Sequence, residues 1–513
     1  MYQWLMECHS SHALCQQEFV DFRPRRLLYI DPRKDSQIMR IDEDLRGRQV
    51  SWAALSYVWG GPQLFRTTVS SLASMKTGFA INCLPRTLQD AVTVCKAMSL
   101  EYLWVDSLCI IQDDPDDLVQ ELASMPQIYQ RAWVTISAST AASVSDGFLQ
   151  NRCYSHSSGT CQTRVPISLP YVANDGSTTG KITFVHLSDA CSLEEAEPIN
   201  QRAWTYQERR LSPRLLDFRY NQVVLYCYTD KQCQGEGSNA LWSHEDTDSK
   251  EEEQLYRPCL NDQSLPAWHG IVNDYANRKL SLPSDKLTAL SALADLHKQS
   301  TNYTYLAGLW KETLISDLRW SNVTQHLYSR PKEYRAPSWS WASIELDSGG
   351  KLYKRPDRNK GCTNSLLYKS DPVDRCEDVV RVLNVTLIQD PPNTTYGKIK
   401  AGTLELEALA LWTRWKYDES TLFLDSERYV TPLWDAIEHD RIDVHELDGF
   451  PVLVVLLGHS RWWRHGCGLI LVQASTGVHR RVGSFHDFQY KSSSGIYHGR
   501  FLRGFQVQTV TII

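Results

Sequence analysis

The stretch YLWVDSLCIIQDDPDD, Tyr102 to Asp117, decides how the first half of this chain is read. Its near-continuous apolar run from Tyr102 to Ile110 fits a strand covered on both faces, as in a parallel sheet. That run delivers Asp106, Ser107 and Cys109 near its end. A helix start follows. Asp114 can accept from free backbone N–H groups, Pro115 suits a first turn, and Asp116 and Asp117 favour the positive end of the helix dipole. Leu118, Leu122, Met125 and Tyr129 mark an inward helix face, and Pro126 predicts a kink or an early end.

On the N-terminal side, Arg25–Asp31 and Trp52–Gly61 read as strands, the second closed by two glycines that permit a tight turn. Between them and Tyr102 lies LPRTLQDAVTVCKAM, where Leu88, Ala91, Val92 and Cys95 recur at the spacing of one buried helix face. On the C-terminal side, Ala132–Ser139 is again strand-like. The order β-α-β-α-β implies right-handed parallel crossovers in a layered α/β sheet, with ligands expected at the carboxyl ends of the strands. Trp59, Gly60, Asp106, Ser107, Ser137 and Ser139 fall at that edge.

Residues 151–197 are polar and irregular, and Pro198–Phe218 gives a short helix and a strand. His244–Glu253 reads as a solvated linker. A mainly helical stretch follows, and from Val379 onward apolar and polar residues alternate as in β-strands, for example GTLELEALAL. The expected units are 23–225 (core 51–150 plus 198–225), a linker at 226–262, a helical segment at 263–345 and a β-rich region at 375–513.

At 513 residues, two or three packed units are the natural division. A net charge of −6 argues against a nucleic-acid partner, and the short cluster Arg23, Arg25 and Arg26 does not reverse that. No window approaches the ~20 consecutive apolar residues of a spanning helix. The N-terminus MYQWLMECHSSHALC lacks the basic-then-apolar layout of a secretory signal, so a cytoplasmic protein without a membrane span is expected. The 14 cysteines contain no C-x-x-C pair, which supports neither a disulfide framework nor a four-thiolate zinc site. Cys8, His12 and Cys15 could share one helical face as soft ligands, but they lie at a chain end with no second partner pair. They read as part of an amphipathic terminus, and no metal site is assigned. There is no P-loop, G-x-G-x-x-G, H-E-x-x-H or G-x-S-x-G, so the chemistries those motifs carry lose their support.

The chain resembles the fungal heterokaryon incompatibility, or HET, domain family. The matching residues are ALSYVWGG (Ala54 to Gly61), LPRTLQDAV (Leu84 to Val92), YLWVDSLCIIQDD (Tyr102 to Asp114), IYQRAWVTISA (Ile128 to Ala138), DGFL (Asp146 to Leu149) and NQRAWTYQERRLSPRLL (Asn200 to Leu216). Downstream, LPSDKLTALSALA, YLAGLW and PSWSWAS are similar to the region that often follows the domain. The resemblance implies a cytosolic fungal effector of non-self recognition and programmed cell death, triggered by a protein partner or by self-association. It also implies a distant relation to TIR domains, flavodoxin-like modules whose active members cleave NAD. The alternatives are thus a TIR-like hydrolase with NAD as substrate, no cofactor being assigned, and an accessory protein or enzyme of a small-molecule biosynthetic cluster.

Cleaving NAD leaves an oxocarbenium-like ribose that a nearby carboxylate would stabilise. Where TIR enzymes carry a glutamate, the stretch STAASVSDGFL offers only Asp146. Glu208, in WTYQERR, could fold back to the sheet edge, or could instead form a salt bridge with Arg202 or Arg209. Asp106 sits where a ligand would lie, or caps backbone N–H groups of the next turn. These two are the candidate catalytic residues. Trp59, Gly60, Gly61, Ser107 and Ser137 are candidate ligand-binding residues, with Trp59 able to stack a base or to pack beside the turn. Cys109 lacks a nearby histidine and reads as a buried structural thiol.

Overall fold

The computed structural model describes residues 2–16, most of 22–149, the short strands within 154–184, 197–229 apart from 221–222, the strand at 231–233, 268–322, 328–346, the strand at 366–367, and most of 377–513. Within 377–513 the description leaves out 391–394, 397, 416–421, 425–427, 431, 436–448, 460–465, 487 and 491–501. The expected linker segment His244–Glu253 and much of the polar stretch 151–197 lie outside the described residues. The chain divides into two compact units, Met1–Ser264 and Leu265–Ile513.

In the first unit, helix α1 (Tyr2–Ser11) precedes β1 (Arg26–Ile30), β2 (Ile38–Glu43) and β3 (Trp52–Ser56). Then come α2 (Leu72–Thr77), β4 (Phe79–Ala80), α3 (Arg86–Ala97), β5 (Tyr102–Trp104), the single turn α4 (Asp106–Cys109), α5 (Pro115–Gln130) and β6 (Val134–Ser137). Two hairpins follow, β7 (Tyr154–Ser155) with β8 (Cys161–Gln162), and β9 (Ile167–Val172) with β10 (Thr179–Phe184). Helix α6 (Trp204–Leu211), β11 (Arg214–Phe218), β12 (Val223–Cys227) and β13 (Lys231–Cys233) complete the unit.

A nine-stranded sheet runs in the order β13-β12-β11-β6-β3-β5-β1-β2-β4. Its centre is parallel: β3 pairs with β5 and β6, and β6 pairs with β11. The flanks are antiparallel, through β1 on one side and β12 on the other. The mixed sheet with its parallel centre agrees with the α/β expectation from the β-α-β-α-β order. Every residue of β3, β5, β6, β11 and β12 is buried, which is why these strands read as unbroken apolar runs rather than alternating ones.

Several boundaries differ from the sequence reading, the strand expected over Trp52–Gly61 already ending at Ser56. The strand expected over Tyr102–Ile110 stops at Trp104, and Asp106 opens a helical turn whose Ser107, Leu108 and Cys109 are still buried. Burial continues across the change of conformation, so hydropathy alone could not mark it. Pro126 does not end α5, which runs on to Gln130 with Met125, Ile128 and Tyr129 buried. A proline interrupts one backbone bond, and the packed face on either side keeps the helix going. The start of α5 is as expected, the Asp114 carboxylate accepting from the Asp116 and Asp117 amides at 3.0 and 3.3 Å. On α3, Leu88, Ala91, Val92 and Cys95 are all buried.

In the basic cluster near the N-terminus, Arg26 is consumed internally while Arg25 stays exposed. Arg26 is fully buried, donating to the Asp117 carboxylate and, at 2.7 Å, to the Cys109 carbonyl, and Arg25 reaches Asp117 at 3.0 Å.

The second unit contains helices Trp268–Ala276 and Ser291–Thr301 and a mainly antiparallel sheet. In its longest strand, Lys398–Arg414, Leu404, Leu406, Ala408 and Ala410 are buried and alternate with less buried neighbours, matching the expected period of two. Trp310, Trp320, Trp339 and Trp341 are fully buried, and the Arg481 guanidinium lies 3.5 Å over the Trp320 ring while pairing with Asp435 at 3.0 Å. No helix among the described residues is long and apolar enough to cross a membrane.

Candidate functional site

Four chain segments meet at the carboxyl edge of the parallel strands. The end of β3 supplies Ser56, Tyr57 and Trp59, the turn after β5 supplies Asp106 and Ser107, α5 supplies Tyr129, and the region of α6 supplies Arg202 and Glu208. Strands pointing the same way end together, so residues far apart in sequence converge.

Asp106 accepts from the Trp59 indole N–H at 2.8 Å through one carboxylate oxygen and from the Ser107 amide at 2.7 Å through the other. The local cap and the tertiary contact are thus both made. Arg202 lies 3.9 Å from the Asp106 carboxylate, donates to the Tyr57 carbonyl at 2.7 Å, and stands 5.6 Å from the centre of the Trp59 ring. The side chains of Asp106 and Arg202 retain 15% and 21% of their exposure, which leaves both within reach of a small molecule. The chain reverses at Gly60, which has φ +72°, and a Cβ there would fall 2.3 Å from Ser143 Cβ. Gly60 therefore serves the close approach of two backbone segments. Gly61 is exposed with nothing within 4 Å of its missing Cβ.

Behind this open cluster lies a closed one. Glu208 is buried and accepts from the Ser56 hydroxyl at 2.6 Å, pairing with neither Arg202 nor Arg209 among its hydrogen bonds. Burial, reinforced by the negative charge of Asp106, pushes the Glu208 carboxyl up to about 7 against the opposing pull of Arg202 and Ser56. Tyr57 donates to the Ser107 hydroxyl at 3.0 Å and Tyr129 to the Leu55 carbonyl at 3.0 Å, both phenols held well above their ordinary range by burial. Ser107 is fully buried beneath Asp106.

Ser137 does not join this group. Its hydroxyl receives Arg209 at 2.7 Å in a buried network where Arg209 and Arg219 each reach the Asp217 carboxylate at 2.7 Å and Ser139 also donates to it. Although burial opposes ionisation, the two guanidinium groups hold Asp217 below the usual carboxylate range. Cys109 is wholly buried and its thiol is pushed up to about 12 by that burial, as suits a structural cysteine. Asp146 closes its own turn by accepting from the Ser143 amide and hydroxyl at 2.9 and 2.8 Å.

The sequence reading named Arg202 only as a competing partner of Glu208 and missed Ser56, Tyr57 and Tyr129. The motif NQRAWTYQERR contained the signal for Arg202, since it places three cations and one carboxylate around a short helix. The roles of Ser56 and Tyr57 had no sequence signal, because their polar atoms close a buried strand.

Residues 52–208 match the family model described as Heterokaryon incompatibility protein (HET). Over this span the chain is similar to a HET domain. The matched span opens on the first residue of β3 and closes on Glu208, so it contains every residue of the Asp106–Arg202–Glu208 cluster. No curated protein and no solved structure matches the chain. The HET domain indicates a role in heterokaryon incompatibility.

Proposed function

We propose that this chain is a cytoplasmic effector of fungal non-self recognition, triggering programmed cell death through the HET-like region when a protein partner or a second copy engages the C-terminal half. The observation that supports a working site is the half-open group Asp106, Arg202 and Trp59 at the carboxyl edge of the parallel strands, inside the matched span. A carboxylate, a guanidinium and an indole converge there and all remain partly exposed, as a group that receives a small molecule requires.

The same group favours a second reading, hydrolysis of NAD. When the bond between ribose and nicotinamide breaks, its electron pair returns to the ring nitrogen and neutralises the pyridinium. The sugar becomes oxocarbenium-like, water adds to the anomeric carbon, and one proton is released. The Asp106 side chain would face the cationic sugar, the Trp59 face would stack the departing ring, and Arg202 would hold a phosphate. Glu208, buried behind them, would position Ser56 and the β3 end rather than touch substrate.

The test is inducible expression in a fungal host of the wild-type chain, Asp106→Asn and Glu208→Gln, with growth and cellular NAD followed together. Growth arrest that Asp106→Asn abolishes in a folded protein supports the effector reading, and a fall in NAD preceding the arrest adds the hydrolase. Absence of arrest with the wild-type chain, together with an altered metabolite profile on deletion, overturns it in favour of a biosynthetic role.

A further inference from the structure

We propose that Cys8, His12, Cys15 and Cys227 bind one zinc ion that fastens the N-terminal helix to the edge of the sheet. Cys8 lies in the last turn of α1, His12 follows the helix end, and Cys15 closes the short 3₁₀ turn Ala13–Cys15. Backbone bonds wind this segment tightly: the His12 amide donates to the Cys8 carbonyl at 3.1 Å and the Cys15 amide to the His12 carbonyl at 2.9 Å. Three ligand side chains are thereby gathered on one side of a compact peptide. The fourth comes from 212 positions further on (227 − 15), where Cys227 ends β12.

The ligand atoms of these four residues lie within 4.8 Å of one another, and Cys227 Sγ is 3.4 Å from His12 Nδ1. Zinc bonds of about 2.3 Å to sulfur and 2.0 Å to nitrogen place tetrahedral neighbours about 3.5–3.8 Å apart, so the set needs only slight contraction. Cys8, Cys15 and Cys227 are buried while His12 is partly exposed. Three thiolates and one imidazole around a zinc ion carry a net charge of about −1, and the structure supplies a counter-charge at the sulfurs. Arg214, itself buried, donates from Nε to Cys8 Sγ at 3.3 Å and from Nη2 to the Cys15 carbonyl, and it sits opposite Cys227 in the strand register. The Thr229 hydroxyl lies 3.8 Å from Cys15 Sγ. Arg214 also donates from Nη1 to the Trp133 carbonyl at 3.1 Å, so it is held in place beside the sulfurs.

Four protein ligands leave no coordination position open, which marks a structural ion rather than a catalytic one. The site also lies at the amino end of the parallel strands, since Cys227 pairs with Arg214, the first residue of β11. It is therefore separate from the Asp106 cluster at the carboxyl edge. None of the three cysteines is joined in a disulfide among the described residues, and a disulfide between any two would strand the third beside His12.

The experiment uses the full chain, purified under reducing conditions without chelator. Metal content is measured by mass spectrometry, and the stripped protein is titrated with Co²⁺. The expected result is about one zinc per chain together with the thiolate-to-cobalt absorption and intense visible bands of a tetrahedral sulfur-rich site. Cys227→Ser should lose the metal, while Cys83→Ser, which alters an exposed cysteine, should keep it. His12→Ala, a change at a partly exposed residue, guards against misfolding of the cysteine variant and should weaken Co²⁺ binding by at least tenfold. The proposal is overturned by wild-type protein that carries no zinc and gives no cobalt–thiolate band, by Cys227→Ser binding as wild type does, or by a disulfide joining two of the three cysteines.

Discussion

Asp217 and Asp106 both stand among arginines on the first unit's parallel sheet, yet one is sealed and the other is open. Asp217 is fully buried, with Arg209 and Arg219 each at 2.7 Å and both guanidinium groups themselves nearly inaccessible. Asp106 keeps part of its carboxylate exposed, and Arg202 stands off at 3.9 Å. A carboxylate whose bonds are all satisfied inside the protein has been committed to the fold, whereas one with a reachable oxygen and a loosely held cation can still change partners. The difference separates a carboxylate that helps to assemble the sheet from one that is still open to solvent, and it can be broken by substitution.

Removing the sealed carboxylate should have the largest effect. Asp217→Ala leaves two buried guanidinium groups without their counter-ion, and breaking a buried pair in this way costs about 3–5 kcal/mol. Asp106→Asn keeps the shape and the Trp59 contact at a partly exposed position, where the loss is about 1 kcal/mol or less. Urea unfolding of both variants measures the contrast. Equal destabilisation would place Asp106 among the structural carboxylates and remove it from the candidate site.

Glu208 sharpens the comparison through pH. Its folded carboxyl is raised to about 7, so the proton is held more tightly in the folded chain than in the unfolded one. That contribution to stability is fully present below the unfolded value near 4.5 and is lost as pH rises through about 7. The full shift corresponds to roughly 3 kcal/mol at most. Glu208→Gln cannot ionise, so it should gain stability relative to wild type between about pH 5 and pH 8. Glu121 and Glu197 are also raised by burial, to about 7 and about 8, and they titrate in both proteins, so the difference between the two urea curves isolates Glu208. A difference that does not change with pH would show that Glu208 is ionised throughout.

How much of this arrangement the sequence discloses depends on the kind of signal involved. The helix face of Leu88, Ala91, Val92 and Cys95, the Asp114 cap and the alternation around Leu404 are local patterns, and each is found in the structure as read. The end of β5 is not legible, because Val105, Leu108 and Cys109 are apolar and buried whether the backbone is extended or helical. Among the candidate residues, Trp59, Asp106, Ser107 and Glu208 come together because strand ends in a parallel sheet share an edge, a consequence of topology that periodicity can supply. Ser137 shares that edge too, but its side chain is taken up by Arg209, and no pattern in the sequence distinguishes the two outcomes. Cys227 illustrates the limit further: three ligands are visible within one short segment, and the fourth depends on β12 pairing beside α1. A search confined to local spacing sees an incomplete set.

The smallest effect concerns the turn that carries Trp59 to Asp106. Gly60 and Gly61 are adjacent and exposed, and both have positive φ, at +72° and +151°. Only at Gly60 would a side chain collide, its Cβ meeting Ser143 Cβ at 2.3 Å and the Ser143 backbone at 2.6 Å. The same turn is pinned by the Val144 amide donating to the Trp59 carbonyl at 3.2 Å. Gly60→Ala must therefore either shift the Ser143 segment or swing Trp59 away from Asp106, at a cost of about 2 kcal/mol, within the usual range for strained backbone. Gly61→Ala meets open space and should cost about 1 kcal/mol from backbone strain alone. Thermal unfolding gives the stabilities, and Trp59 fluorescence, compared with a Trp59→Phe control, reports the indole. If the open cluster depends on this turn, Gly60→Ala should diminish growth arrest more than Gly61→Ala does. Equal arrest with a displaced indole would mean that Asp106 works without Trp59, and the candidate site would contract to Asp106 and Arg202.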